Sequence, residues 1–199
     1  INNVQKTLPQ LHQGYNGVEF QATTQFAKGS LFGGVTIGKD SGTPDGSTTS
    51  MDFNNPNNLI NYAGNLGFDA PYQIRMGGIY DLWRGLEVSG SLRENSGLPQ
   101  SRTYNVTRSI VPGLTQVTQA VLVAPPGAYR YPWQNLLDLR LAKTFRIGEH
   151  LQMQPLVDIF NTFNSDAVTS AVTTVGPSLL RPSNIVDGRI VRLGGQVTF

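Results

Sequence analysis

Long runs of alternating apolar and polar residues constrain the fold of this chain more than any other feature. Along residues 15–26, apolar or small side chains alternate with Glu, Gln and Thr at every second position. A period of two places successive side chains on opposite faces of a β-strand, whereas a helix requires a period near 3.6. We therefore predict an all-β, antiparallel fold of about seven strands, most of them about ten residues long or longer. The predicted strands cover residues 15–26, 31–38, 72–82, 86–93, 137–145, 153–159 and 191–199.

Short turns and long connections alternate between these strands. Tight turns follow the first, third and fifth strands, and the other connections are long and rich in Gly, Asn, Ser, Thr and Pro. The long connections cover about residues 39–70, 96–132 and 162–187. In an up-and-down sheet, successive connections lie at opposite ends, so all the short turns share one end. Outer-membrane barrels have this layout, with short periplasmic turns and long extracellular loops.

The composition excludes several classes of function. Charged residues make up 14% of the chain, against about 25% in ordinary soluble domains. The net charge is only +2 and no Lys or Arg run forms a basic stripe, so we expect no nucleic-acid partner. With no cysteine, disulfides, thiolate metal sites and cysteine nucleophiles are excluded.

The first residue is Ile and no signal peptide follows it, so we expect a processed chain or a fragment.

The alternation leaves two interpretations of the apolar face. A soluble β-sandwich buries that face, whereas a membrane barrel turns it toward lipid around a polar lumen. No apolar run reaches the roughly 18 residues of a spanning helix, so a membrane role would fall to strands. Mid-strand charges, strand length and aromatic residues near strand ends favour lipid, and we predict a transmembrane up-and-down β-barrel segment. The aromatic residues are Tyr15, Phe26, Tyr72, Tyr80, Trp83, Trp133, Phe145 and Phe199.

Several short segments carry a family resemblance. They are 15–19 (YNGVE), 96–99 (SGLP), 138–145 (DLRLAKTF), 158–164 (DIFNTFN) and 192–199 (RLGGQVTF). In their order, their spacing and the terminal Phe199, they resemble the C-terminal part of TonB-dependent outer-membrane receptors, especially the Oar-like group. The resemblance covers essentially the whole chain.

The resemblance implies a location, a role and a set of partners. Residues 1–199 would be the C-terminal part of one bacterial outer-membrane barrel domain of about 22 strands, with no plug domain in the given sequence. The parent protein would take up or bind a ligand whose identity is unknown. Its partners would be the lipid bilayer, the remaining barrel strands from missing sequence or other chains, and the barrel-assembly machinery. That machinery would recognise Phe199 as an assembly signal, whereas the alternative is that Phe199 packs against an edge strand.

The charges in mid-strand are the candidate functional residues. They lie on the polar faces of the predicted strands, where a wet lumen allows unlike charges to pair. We expect them to line the lumen or to form cross-strand pairs. The set is Arg75, Arg93, Asp138, Arg140, Asp158 and Arg192.

We find no pattern that predicts a catalytic, cofactor or metal site. His12 and His150 are the only histidines, and no Gly-x-Ser-x-Gly motif is present. Loop acids Asp40, Asp45 and Asp52 do not have EF-hand spacing. We therefore expect no enzyme and no cofactor; the alternatives are a soluble β-sandwich module that binds through its long loops and a serine hydrolase.

Pro155 lies inside the sixth predicted strand. A proline has no N–H to donate to a β-ladder and is usually found at edges or bulges. We therefore predict a bulge at this position; the alternative is that this segment forms a less regular part of the sheet.

Overall fold

The chain folds into antiparallel β-sheets. A computed structural model describes residues 12–43, 55–148 and 150–199, and no α-helix occurs within those ranges. One single-turn 3-10 helix, Pro56–Leu59, lies in the first long connection. The strands are β1 (Gln13–Phe26), β2 (Gly29–Gly42), β3 (Gly64–Asn65), β4 (Tyr72–Asp81), β5 (Leu86–Asn95), β6 (Pro99–Gln100), β7 (Thr103–Thr107), β8 (Thr118–Leu122), β9 (Tyr129–Arg130), β10 (Gln134–Lys143), β11 (Phe145–Ile147), β12 (Leu151–Phe160), β13 (Val168–Ala171), β14 (Pro182–Ile185) and β15 (Ile190–Thr198).

The all-β, antiparallel prediction is confirmed, and the predicted count of about seven strands is wrong. The described residues contain fifteen strands. Eight of them are only two to five residues long, and most of these lie inside the long connections. They pair there as β6 with β9, β7 with β8 and β13 with β14. Such short segments contain too few residues for alternation to be recognised.

Seven long strands form the main sheet in the order β1-β2-β4-β5-β10-β12-β15. Each neighbour in this order is also the next long strand along the chain. Two short strands extend it, because β3 pairs with β2 and β11 with β12. Within the described strands the sheet does not close into a barrel, and β1 and β15 each have one unpaired edge.

The short connections are tight because their residues suit sharp turns. Only Ala27 and Lys28 separate β1 from β2. Between β4 and β5, Arg84 and Gly85 have φ values of 53° and 76°, in the left-handed region. Two consecutive residues with positive φ match the twist of a hairpin. Successive connections of an up-and-down sheet alternate between its two ends. The long connections therefore start and finish at the end opposite these turns.

Pro155 interrupts pairing without a bulge. It lies opposite Gly195 of β15, and that register is regular along β12. On the other side, the pairing of β12 with β10 ends at Leu156, and pairing resumes in the same register where Phe145 of β11 meets Met153. Because Pro155 has no N–H to donate, the ladder along this side of β12 is interrupted, and β10 and β11 are two separate strands. The predicted bulge is wrong, because the register is preserved and the ladder is interrupted instead.

One face of the main sheet is apolar from one edge to the other. In one row of opposite residues, Tyr80, Val88, Leu141, Val157 and Leu193 follow one another across β4, β5, β10, β12 and β15. In a second row on the same face, Phe20, Val35 and Ile74 follow one another across β1, β2 and β4. Side chains of this face are open, and Leu193 is 77% exposed. Across the described chain, the buried hydrophobic residues are Leu66, Ala142 and Ala167. Leu139, Val157 and Leu193 do not form a dry core. The main sheet is held by its ladders rather than by packing on a second layer.

Candidate functional site

Three of the predicted charges meet on the polar face of the main sheet. The register places Arg140 opposite Asp158 and Asp158 opposite Arg192, on three neighbouring strands. Arg140 donates from Nε to Oδ1 of Asp158 at 2.6 Å and from Nη2 to Oδ2 at 3.4 Å. Arg192 donates from Nε and Nη2 to Oδ2 at 2.8 and 2.6 Å. The three side chains form an ion-pair cluster with a net charge of +1.

Burial differs sharply within this ion-pair cluster. The side chain of Asp158 is 3% exposed, while those of Arg140 and Arg192 are 44% and 56% exposed. The carboxylate is thus covered by two guanidinium groups whose outer faces remain accessible. Arg192 also lies over the ring of Phe160, with 5.3 Å between guanidinium carbon and ring centroid. The four N–H bonds that the Asp158 carboxylate accepts tie β10, β12 and β15 together in register.

Asp138 takes part in a different arrangement. Its Oδ1 accepts a hydrogen bond from the backbone N–H of Asn161 at 2.9 Å. The Asn161 side chain in turn donates to the carbonyls of Ser165 and Asp187, at 2.9 and 2.7 Å. Asn161 is 5% exposed and has a φ of 49°. Asp138 therefore holds the start of the third long connection and does not join the ion-pair cluster.

Arg75 and Arg93 lie directly opposite each other on β4 and β5. Neither is within ion-pair distance of a carboxylate in the described part of the chain. Arg75 donates only weakly, from Nη2 to Oε1 of Gln73 at 3.4 Å. Like charges directly opposite each other in a sheet are destabilising. The six predicted residues thus separate into the ion-pair cluster, one residue that anchors a long connection, and a pair of arginines without a described carboxylate partner.

A shallow depression of about 360 Å³ lies beside Arg75, over β1, β2 and β4. Its walls include Glu19, Gln21, Phe32 and Gln73. Gln21 donates to Glu19 at 2.6 Å, so the acid of the depression is already engaged. We had not predicted these residues as part of the polar site, although their alternation with apolar neighbours placed them on this face.

A buried ion pair, which we had not predicted, joins two of the long connections. Asp69 and Arg130 are in direct contact, and the Asp69 side chain is 1% exposed. Arg130 also donates from Nη1 to the backbone carbonyls of Asp69 and Gly97, at 2.9 and 3.0 Å. The backbone N–H of Asp40, in β2, donates to Oδ1 of Asp69 at 2.7 Å. No periodic pattern surrounds either partner, so the sequence held no signal for this contact.

Aromatic contacts occur near both ends of the main sheet. Tyr72, at the first position of β4, stacks on Trp133 with ring centroids 6.1 Å apart. Tyr80, near the last position of β4, meets Phe26 at 5.8 Å. Phe199 follows β15 and is 97% exposed. The structure thus shows where the predicted aromatic residues lie, and the role of Phe199 stays a prediction.

The described residues contain no group of three or more His, Cys, Asp or Glu side chains placed to hold a metal ion. Asp45 and Asp52 lie outside the described residues. Among the described helices, none has the length and apolar character needed to cross a membrane.

Comparisons of the chain with protein-family models, with curated proteins and with solved structures found no match.

Proposed function

We propose that this chain is the C-terminal segment of the barrel of a TonB-dependent-receptor-like protein in the bacterial outer membrane, taking part in ligand uptake or surface binding. One observation carries the proposal: the apolar face of the main sheet is continuous over seven strands and uncovered. The exposed side chains include Phe20 at 66% and Leu193 at 77%. A face of this kind requires an apolar environment.

The size of the hydrophobic effect supports lipid as that environment. Leaving a Leu, Val or Phe side chain in water instead of burying it costs about 1.5–3 kcal/mol. Summed over a seven-stranded face, this cost exceeds the net stability of an ordinary domain, about 5–15 kcal/mol. A covering layer from the same chain would bury these residues, and the described strands provide none.

Strand length and the opposite face fit the same proposal. β4, β5, β10 and β12 each contain 10 residues and β15 contains 9. A tilted membrane strand needs about 9–11 residues, whereas strands of soluble sheets are most often about 5–6. On the polar face, Asp158 is paired with Arg140 and Arg192, an arrangement that an enclosed wet interior permits.

The main sheet has two unpaired edges, which would need partner strands in a membrane. Backbone N–H and C=O groups that face hydrocarbon without a partner cost several kcal/mol each. The free edges of β1 and β15 would therefore be paired in the membrane by further strands. We propose that missing sequence or other chains provide them and that the barrel-assembly machinery joins them.

Site-specific quenching by lipid tests the proposal, because the chain has no native cysteine. Leu193→Cys and Gln196→Cys place a bimane label on opposite faces of β15. After reconstitution into vesicles, brominated acyl chains should quench the Leu193 label several-fold more than the Gln196 label. Equal quenching would contradict the proposal. Monodisperse protein in plain buffer would also contradict it and would favour a soluble module that binds through its loops.

A further inference from the structure

A cavity of about 830 Å³ lies within the long connections. Its floor is one face of the hairpin made by β7 and β8, where Tyr104 lies opposite Val121 and Val106 opposite Gln119. Because directly opposite residues share a face, these four side chains form one surface. The 3-10 helix, the segment joining β7 to β8, and Val175 supply the walls. None of these residues belongs to the polar face of the main sheet.

Amide hydrogen bonds hold one wall in place. Gln119, which is 7% exposed, accepts from Nδ2 of Asn55 at 2.6 Å and donates to Oδ1 of Asn58 at 3.0 Å. Asn61 donates from Nδ2 to the carbonyl of Leu122 at 2.9 Å. Residues before, within and after the 3-10 helix are therefore tied to β8. This wall keeps its position without a ligand.

Arg108 holds the segment that joins β7 to β8. Its guanidinium donates to the carbonyl oxygens of Leu114, Thr115 and Gln116, at 3.1, 2.6 and 3.2 Å. The charge of Arg108 is thus engaged with backbone, and Arg108 does not line the cavity. The wall that carries Val175 is fixed by backbone, because the N–H of Val175 donates to the carbonyl of Thr103 at 2.8 Å.

The chemistry of the lining limits what the cavity can hold. Among the residues that the structure describes, no Asp, Glu, Lys or Arg lines it. Ile60, Tyr104 and Val111 line it with 44%, 42% and 45% of their surface exposed. A charged ligand would lose water here without gaining an opposite charge, which costs several kcal/mol. The few polar groups, among them the amide of Asn57 and the hydroxyl of Tyr104, can orient a ligand but not neutralise one.

We propose that this cavity binds an uncharged, largely apolar small molecule. Its volume lies within the range of about 300–1,000 Å³ that is usual for small-molecule sites, and such sites combine an apolar lining with few polar groups. The concave shape and anchored walls favour a small ligand over a flat protein surface. This inference goes beyond the proposed function and does not require that the main sheet lie in lipid.

Two glycines provide a matched test. Gly113 lines the cavity, and a Cβ at this position would meet no atom within 4 Å. Gly113→Trp therefore adds a bulky side chain at the cavity lining without a clash at its Cβ. Gly67 has equally open surroundings and does not line the cavity, so Gly67→Trp is the control. Val111→Asp introduces a charge into the lining, and Val117→Asp places the same charge outside it.

The measurement is a fluorescence titration with N-phenyl-1-naphthylamine, a neutral apolar probe. Each variant is titrated in identical lipid nanodiscs, and the signal of empty nanodiscs is subtracted. We expect saturable binding of one probe per chain, weakened at least about tenfold by Gly113→Trp and Val111→Asp and unchanged by both controls. Equal binding by all variants, or no saturable component, overturns the inference. Self-association that Val111→Asp abolishes would also overturn it, because the cavity would then be an interface between copies.

The outcome is separable from that of the proposed function. If the chain proves soluble in plain buffer, the same titration is carried out there. The membrane proposal then fails while the cavity is still tested. If the labels on β15 report lipid but the probe shows no saturable component, only the cavity inference fails.

Discussion

Arg192 lies directly opposite Asp158 in the register of β12 and β15, with its Nη2 2.6 Å from Oδ2 of that carboxylate. Arg140 approaches the same carboxylate from the other neighbouring strand. One buried acid therefore compensates two arginines on strands that are far apart in sequence. The acid is the single shared partner, so its loss affects both contacts at once.

We expect Asp158→Asn to destabilise the fold by about 2 kcal/mol. The substitution leaves two guanidinium groups next to each other without a carboxylate, and the estimate allows for their partial exposure. Unfolding by urea in a fixed lipid or detergent environment measures the change. Asp81→Asn is the control, because Asp81 is exposed and in no described ion pair, and it should change stability by less than about 0.5 kcal/mol. A similar loss in both variants would show that the ion-pair cluster contributes nothing specific.

Arg75→Glu should stabilise the main sheet by about 0.5 kcal/mol. It converts two opposed cations on β4 and β5 into an unlike pair with Arg93. The gain should shrink as salt rises, because screening weakens exposed pairs. The double variant Arg75→Glu/Arg93→Glu restores like charges and should lose the gain. Stability unchanged in both the single and the double variant would mean that the two side chains avoid each other.

Gly38→Ala should cost about 0.5–1.5 kcal/mol, because the exposed ring of Tyr15 lies over this position and has to move aside. A Cβ at Gly38 would lie 2.5 Å from the Tyr15 hydroxyl oxygen and 2.8 Å from Cζ. In a Tyr15→Ala background the same substitution should cost far less, which a double-mutant cycle measures. Gly14→Ala is the matched control, because no atom lies within 4 Å of its Cβ position. An equal cost in both backgrounds would contradict the contact.

Asp69→Asn should loosen the long connections before it affects the main sheet. Asp69 is 1% exposed in its contact with Arg130, and breaking a buried pair costs about 3–5 kcal/mol. Hydrogen exchange should therefore speed up in residues 55–71 and 96–133 while β10 and β12 stay protected. Asp166→Asn, at an exposed position without an ion pair in the described chain, should leave exchange unchanged. Uniform acceleration across the whole chain would instead indicate global destabilisation.

Alternation predicted the parts of the fold that depend on local pattern. The seven long strands coincide with the seven segments, although β2 continues to Gly42, where a loop was expected from residue 39. Lys39 and Asp40 extend that strand because the edge of Tyr15 and Asn16 is available for pairing, a tertiary contact that local pattern does not report. The short strands inside the long connections were not predicted, because each contains too few residues to show an alternating pattern.

The candidate site was less predictable, because it depends on register between distant strands. The face of Arg140, Asp158 and Arg192 follows from alternation, but their direct opposition follows from how β10, β12 and β15 align. The alignment of β4 with β5 leaves Arg75 facing Arg93, which no local pattern indicates. Asp69 and Arg130 lie in aperiodic connections, so only the folded chain brings them together.

The unequal connections of the main sheet also bear on how such a protein can change over time. Insertions or deletions at the end that carries the long connections would leave the alignment of β10, β12 and β15 untouched. At the other end, only Ala27 and Lys28 join β1 to β2, so one added residue would shift a strand against its neighbours. The connections at one end of the sheet can therefore vary in length while the turns at the opposite end stay constant.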